Sequence, residues 1–358
     1  MPQILYEDNH ILVVVKPCNL PVQADASGDD DLLSQCKRYI KEKYHKPGDV
    51  YLGLVHRLDR PAGGVMVFAR TSKAAARLSA QFKGHGVQKR YAALVTGAPF
   101  PLARLQDTLL RCESTARVVP MGTPDAKNAV LTYRRQAAAG GLSLVDVSLF
   151  TGRHHQIRVQ FAAHGMPLYG DQRYNPRAVP KEQLALWAYA LTLEHPTLHK
   201  RMTFTTLPAG GAWQPFSAHL AAMEKGFSLV YEDESLLVVA KPENLETCDE
   251  ADAAKDTLQT RAAAVFGPLY PVHRLDANTT GLVLFARTAK AKAALDAALQ
   301  SRAVQKYYRC VVKDALPPAA TLTAYLIKDE AKGRVTVLSS PLPGAKPIAT
   351  DYRELGAY

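Results

Sequence analysis

Two short apolar runs, residues 52–55 and 65–68, flank the polar stretch His56-Arg57-Leu58-Asp59-Arg60-Pro61-Ala62-Gly63-Gly64. Each run is brief, rich in aliphatic and β-branched residues and bounded by Gly or Pro, which predicts two buried strands with a loop between them. A carboxylate in a loop between rigid strands is both fixed and reachable, so Asp59 is a candidate for chemistry. A local ion pair and turn cap among His56, Arg57 and Asp59 would account for the same residues. Elsewhere, residues 4–6 and 11–15 predict strands about a polar turn, the second ending at Lys16-Pro17. Aspartates at 29–31 followed by Leu32, Leu33, Cys36, Tyr39 and Ile40 at helical spacing predict a helix that stops before Pro47-Gly48. The Ala-rich residues 71–83 predict another helix. Strands are expected at 87–95, 130–134, 142–149, 184–192 and 202–206, and helices at 154–164 and 217–225. Residues 97–125, with Pro99, Pro101, Pro120 and Pro124, read as loop. Strands outnumber helices, an α+β pattern.

The pattern then restarts. Residues 227–242 repeat the opening of the chain, and His273-Arg274-Leu275-Asp276 repeats the tetrad 217 positions further on. Over the 40 residues from His56 and from His273, 19 are identical without a gap. Gln88-Lys89-Arg90-Tyr91 returns as Gln305-Lys306-Tyr307-Tyr308, with 32 positions between Asp and Tyr in both copies. A strand Tyr is ordinarily a core or cross-strand filler, and the recurrence is what gives Tyr91 weight. We therefore read 1–220 as one domain, 221–226 as linker, and 227–358 as a second copy that stops early. Lys346 to Arg353 matches Lys127 to Arg134, and the counterpart of Arg158 would fall near position 377, beyond Tyr358.

Charge sharpens the picture. Of the net +11, residues 1–226 carry 28 Lys and Arg against 17 Asp and Glu, while 227–358 carry 16 of each. A basic excess confined to one part draws polyanions, although solubility alone would explain some of it. No apolar run reaches the roughly 18 residues of a membrane span, and the N-terminus lacks a signal-peptide pattern. Five widely spaced cysteines without Cys-x-x-Cys suit a reducing cytoplasm and argue against a structural zinc. His154, His155 and His164 invite a metal reading, but adjacent His residues do not share a face as an i, i+4 pair does, and no acidic ligand is nearby before Asp171.

His-Arg-Leu-Asp followed by a Gly-containing loop and an apolar strand resembles motif II of the RluA family of RNA pseudouridine synthases. Lys89-Arg90-Tyr91 resembles that family's Lys-x-Tyr motif. Gly152-Arg153-His154-His155-Gln156-Ile157-Arg158 resembles its Gly-Arg-x-His-Gln-Ile-Arg motif, with His154 in the variable position. The resemblance implies the pseudouridine synthase fold, an α+β domain with a mixed, largely antiparallel sheet split by a central basic cleft, here in tandem. It implies isomerisation of uridine in ribosomal or transfer RNA, with Asp59 catalytic, Tyr91 packed on the base and Arg158 paired with Asp59. His56, Arg57, Lys89 and Arg153 would meet RNA. In the second copy Asp276, Tyr308 and Arg274 match the motifs, but without the Arg partner we do not expect catalysis there. The resemblance implies no cofactor, no metal and no obligate protein partner, RNA being the partner, in the cytoplasm. Ala62-Gly63 departs from the polar pair common in the family, and no S4-type RNA-binding module precedes Ile4, leaving substrate choice to the catalytic domain. A non-catalytic RNA-binding protein of the same fold is the competing reading. A hydrolase ranks last, since Gly-x-Ser-x-Gly and His-Glu-x-x-His are both missing.

Overall fold

The computed structural model describes residues 1–249, 251–252, 254–313, 317–329 and 334–356. The chain separates into two compact units, Met1–Gln300 and Ser301–Tyr358. No helix among the described residues is long and apolar enough to cross a membrane.

The first unit opens with strands β1 (Gln3–Glu7) and β2 (Ile11–Lys16), helix α1 (Leu32–Lys43), β3 (Gly53–Leu54), β4 (Gly63–Ala69), α2 (Ser72–Lys83) and β5 (Gln88–Thr96). All of β2 and β4 is buried because both faces are covered. Leu32, Cys36 and Ile40 of α1 pack on Leu12, Val14, Met66 and Phe68, whereas Ala74 and Leu78 of α2 pack on the alternate residues Ile11, Val13, Val65 and Val67. Asp31 caps α1 through Ser34 N–H at 3.0 Å, and Thr71 caps α2 through Ala74 N–H at 3.1 Å.

Next come β6 (Leu102–Cys112), β7 (Thr115–Val119), β8 (Lys127–Ala139), β9 (Leu142–Leu149), α3 (Gln156–Ala163), β10 (Leu186–Glu194), β11 (Arg201–Thr205), a short 3-10 helix (Gly211–Phe216) and α4 (Ser217–Glu224). The stretch 97–125 is thus a β-hairpin rather than loop. Its prolines stand outside the strands, where no ladder donor is lost, and its irregular burial hid it from a periodicity reading. One sheet runs β1-β2-β4-β10-β5-β9-β8-β6-β7, with β11 beside β10 and β3 beside β4. Its pairs are antiparallel except β4 with β10, which are parallel over only Trp187↔Gly63 and Ala188↔Gly64. That short joint links the β1-β2-β4 side of the sheet to the rest.

Two glycines make the joint possible. A Cβ on Gly63 would sit 2.1 Å from the Trp187 ring, and one on Gly64, whose φ is +126°, would sit 2.2 Å from the Ala188 carbonyl oxygen. Gly64→Ala is expected to cost about 3 kcal/mol or more from backbone strain and overpacking together. Gly97→Ala, also at positive φ but with open space around it, should cost only about 1 kcal/mol. Urea unfolding of the two variants tests the difference.

Residues 221–226 do not separate two bodies as expected of a linker. They lie on and just after α4, whose Leu220 and Met223 pack into the core beneath β5 and β10 while Ala222 packs against Phe227 and Leu229. The first unit continues through β12 (Ser228–Glu232), β13 (Leu236–Lys241), α5 (Leu258–Phe266), β14 (Tyr270–Pro271), β15 (Gly281–Ala286) and α6 (Ala289–Gln300). These form a four-stranded sheet, β12-β13-β15-β14. The second unit holds β16 (Ala319–Asp329), β17 (Arg334–Leu338) and β18 (Lys346–Arg353) in the order β17-β16-β18. Registers recur between the copies. Leu102↔Arg134 and Leu109↔Lys127 return as Ala319↔Arg353 and Leu326↔Lys346, and Thr108↔Val119 returns as Tyr325↔Leu338.

Candidate active site

Asp59 sits in the loop that enters β4, half-buried, and the loop is held from behind by two side chains. Lys16, fully buried at the end of β2, donates to the carbonyls of Pro17, Leu20 and Arg60 at 2.9, 2.7 and 2.9 Å. Burial pushes its ammonium down to about 8. His56 Nε2 accepts Val67 N–H at 3.1 Å while its ring stacks on Phe82, centroids 4.7 Å apart. Burial and the charge of Lys89 bring this imidazole down to about 3, so it is neutral. The resemblance places His56 at the RNA; it lines the cleft, with its Nε2 committed to Val67 N–H in the loop. Lys16→Met leaves three carbonyls without their donor and should cost about 3 kcal/mol, read as a lower urea midpoint.

The Thr151-to-Arg158 segment delivers the opposite wall. Thr151 Oγ1 accepts Val130 N–H at 2.8 Å. Gln156 Oε1 accepts Arg153 N–H at 3.0 Å and Thr151 O–H at 2.8 Å, and its Nε2 donates to the Val130 carbonyl at 3.2 Å. His155 adopts a left-handed φ of +52°, so α3 starts at Gln156, two residues later than the periodicity predicts. Arg158 is then buried inside the first turn. Its Nε and Nη2 meet Asp171 Oδ2 and Oδ1 at 2.8 and 2.7 Å, and its Nη1 lies 3.4 Å from Asp59 Oδ2. The bidentate pair fixes the guanidinium, leaving one edge for Asp59.

His155 Nε2 is 3.7 Å from Asp59 Oδ2, and its Nδ1 is 2.8 Å from Tyr174 Oη, which itself accepts Ala116 N–H at 2.8 Å. That phenol has its proton free to donate to Nδ1 in the tautomer that carries the ring proton on Nε2, toward Asp59. Burial holds His155 down to about 4, only partly offset by Asp59. Tyr91, on β5, packs against both core clusters that meet at the sheet joint. Burial, and secondarily the charge of Asp59, raises its phenol well above the ordinary value.

Asp59, Tyr91, His155 and Arg158 line a cleft of about 1000 Å³, with Arg57, Lys83, Lys89, Arg111, Lys127 and Arg153 along its walls. Arg57 is exposed, and Arg153 is braced by a 3.0 Å bond from Nε to the Asn128 carbonyl. Asp59, Tyr91 and Arg158, far apart in sequence, meet here, as do Lys89, Arg57 and Arg153. Sequence reasoning missed Asp171 and Tyr174. The usable signal for Asp171 was Gly170 before it, whose φ of +70° and approach to the Gln183 carbonyl, 2.2 Å from any Cβ, admit only glycine. Beside Asp59, whose carboxylate and the donor atoms of His154 and His155 lie within 4.8 Å of one another, the two imidazole rings stack with centroids 3.8 Å apart.

In the second copy, Lys241 donates to Pro242, Leu245 and Ala277 carbonyls at 2.9, 2.6 and 2.8 Å, and His273 Nε2 accepts Leu284 N–H at 3.1 Å, repeating the Lys16 and His56 devices. Asp276 and Arg274 are exposed, and Asp276 has no ion pair with the described residues. Tyr308 is 65% exposed, and residues 305–312 form no strand. In the first copy that strand exists because β9 and β10 flank it.

The comparisons with known proteins agree with this architecture. The chain is 32% identical over 214 residues to ribosomal large subunit pseudouridine synthase D of Zymomonas mobilis, covering 56% of this chain and 68% of the relative. It is 35% identical over 208 residues to the dual-specificity RNA pseudouridine synthase RluA of Salmonella typhi, covering 56% of this chain and 90% of the relative. A solved structure of human RNA pseudouridylate synthase domain containing 4 shares the fold, with a TM-score of 0.50 at 23% identity over 57% of this chain and 88% of that one. The family model described as RNA pseudouridylate synthase matches residues 10–163 and 235–358, and with these relatives it shows that the chain belongs to the RluA family of RNA pseudouridine synthases, enzymes that isomerise uridine within RNA.

Proposed function

We propose that the chain isomerises specific uridines of ribosomal or transfer RNA in the cytoplasm, with Asp59 as the catalytic group. The observation that carries this is the accessible Asp59 carboxylate, 3.4 Å from a guanidinium already clamped by Asp171, in a cleft with basic walls. A carboxylate that must stay ionised beside a bound base needs such a fixed partner to offset its desolvation. The target uridine flips into the cleft, and Asp59 either attacks the ribose C1′ or abstracts the C2′ proton. Uracil detaches, turns and rejoins through C5. Tyr91 packs on the base, since an aromatic face holds a flipped base without demanding one hydrogen-bond pattern. Arg57 fills the space the base leaves, while Lys89 and Arg153 meet phosphates. The reaction moves a base between two bonds of one nucleoside, so it is redox-neutral.

The repeated registers and the two separate matched segments support a tandem origin, with 1–220 and 227–358 as copies. Exposed Asp276, without a guanidinium partner among the described residues, supports an inactive second copy. Pseudouridine mapping of total RNA from cells carrying wild type or Asp59→Ala tests the assignment and names the RNA. Sites lost only in the mutant are the expected result. An unchanged map, with RNA binding retained by the purified protein, would replace the enzyme reading of this site with that of a binding module.

A further inference from the structure

We propose that Tyr174 and His155 are positioning residues of the reaction: the Tyr174 hydroxyl fixes the His155 imidazole with its Nε2–H toward Asp59, and that N–H holds one oxygen of the carboxylate. The proposal rests on the reading of Asp59 as catalytic. Two groups approach that carboxylate, Arg158 Nη1 at 3.4 Å and His155 Nε2 at 3.7 Å, and both address Oδ2. A carboxylate held through one oxygen keeps the other aimed at the ribose, and alignment of this kind supplies a large part of an enzyme's rate. Contacts to a catalytic group are commonly long before substrate binds and tighten in the reacting complex.

Both of these groups rest on Tyr174. Its hydroxyl lies 2.8 Å from His155 Nδ1, and its ring faces the Arg158 guanidinium, with Cζ 5.2 Å from the centroid. Tyr174 is held in turn from two sides. Its Oη accepts Ala116 N–H of β7 at 2.8 Å, and its backbone N–H donates to Asp171 Oδ1 at 3.3 Å. The same Asp171 oxygen accepts from Arg158 Nη2 at 2.7 Å. One buried carboxylate therefore sets the guanidinium and the tyrosine together.

The tautomer follows from counting donors around Oη. With Ala116 N–H already on that oxygen, the phenol proton is what remains for Nδ1. A ring proton on Nδ1 would instead bring two N–H groups to Oη and leave the O–H without an acceptor among the described residues. The ring proton then sits on Nε2, whose neighbour is Asp59. The plane of the imidazole is fixed as well, by His154 stacked on it with centroids 3.8 Å apart and by the edge of Tyr174 at 5.6 Å and 81°. Burial brings this imidazole down to about 4, so the ring is neutral and Nε2–H is its one donor.

The test exploits amide side chains. Asn carries its nitrogen where His carries Nδ1, and Gln carries it where His carries Nε2; the left-handed φ of +52° at this position suits Asn better than Gln. A turn-forming role thus ranks the variants opposite to a donor role. The full chain is assayed in single turnover on an unmodified transcript of the ribosomal or transfer RNA it modifies, with the maximal rate and the half-saturating concentration read separately. His155→Asn should lower the maximal rate about 10–100-fold, the scale of losing a hydrogen bond to a charged group, at unchanged half-saturation. His155→Gln should regain most of that rate. Tyr174→Phe keeps the ring against Arg158 and should lose on the order of tenfold in the wild-type background, but little in His155→Gln, where no imidazole is left to orient. Asn as active as Gln, a loss confined to half-saturation, or an equal Tyr174→Phe loss in both backgrounds would overturn the proposal. An active Asp59→Ala would overturn the catalytic reading beneath it; an inactive Asp59→Ala beside equal Asn and Gln variants would count against this proposal alone.

Discussion

Asp59→Ala is expected to lower pseudouridine formation by the purified chain at least about 10⁴-fold, the scale of losing the group that carries the chemistry, with little change in stability. The second half of that expectation follows from how the loop is held. The Asp59 side chain contributes only approaches of 3.4 and 3.7 Å to Arg158 and His155, whereas the loop backbone is fixed by the Lys16 ammonium on the Arg60 carbonyl and by His56 on Val67 N–H. Arg158 keeps its bidentate pair with Asp171 when Asp59 is gone. The change in unfolding free energy should therefore stay within about 1 kcal/mol. Asp276→Ala, made at an exposed carboxylate with no ion pair among the described residues, should leave turnover unchanged. Single-turnover conversion of a substrate RNA, followed by mass spectrometry of its nucleosides, reads both. Appreciable activity in Asp59→Ala, or its loss in Asp276→Ala, would reverse the roles assigned to the two copies.

Much of this site was legible because its chemistry lies in short linear motifs on well-patterned elements. Leu12 to Val15 and Val65 to Phe68 are apolar runs because α1 and α2 cover both faces, and such runs announce the loop between them. Pairings made only in space were not legible. Nothing in the spacing of Arg158 and Asp171 says that a helix turn and a Gly-Asp turn bring them into bidentate contact, nor that Tyr174 would meet both His155 and Ala116. His56 shows what a motif leaves unsaid: the resemblance implied an RNA contact, and the structure adds that Val67 N–H donates to its Nε2 while the residue lines the cleft. Residues 305–312 match 88–95 of β5 by motif yet form no strand, because local sequence records only a preference and neighbouring strands must satisfy the pairing.

Arg158→Met should be the most damaging substitution to the fold within the site, and its consequences can be divided. Arg158 is 3% exposed and Asp171 fully buried. Removing the guanidinium leaves a carboxylate uncompensated inside the protein, at a cost of about 3–5 kcal/mol. Activity would fall as well, but part of that fall would come from a loosened α3. The double variant Arg158→Met/Asp171→Leu removes both charges and fills the space with apolar atoms, which for a buried pair is often close to neutral. It should regain most of the lost stability, measured by urea unfolding. It should not regain activity, because Asp59 still lacks the positive edge 3.4 Å from its Oδ2. If turnover returned together with stability, Arg158 would be a strut beneath α3 and Asp59 would need no guanidinium. If stability returned alone, the Arg158–Asp171 pair would be one device with two tasks: Asp171 orients the guanidinium in the core, and the guanidinium presents its free edge to the cleft carboxylate.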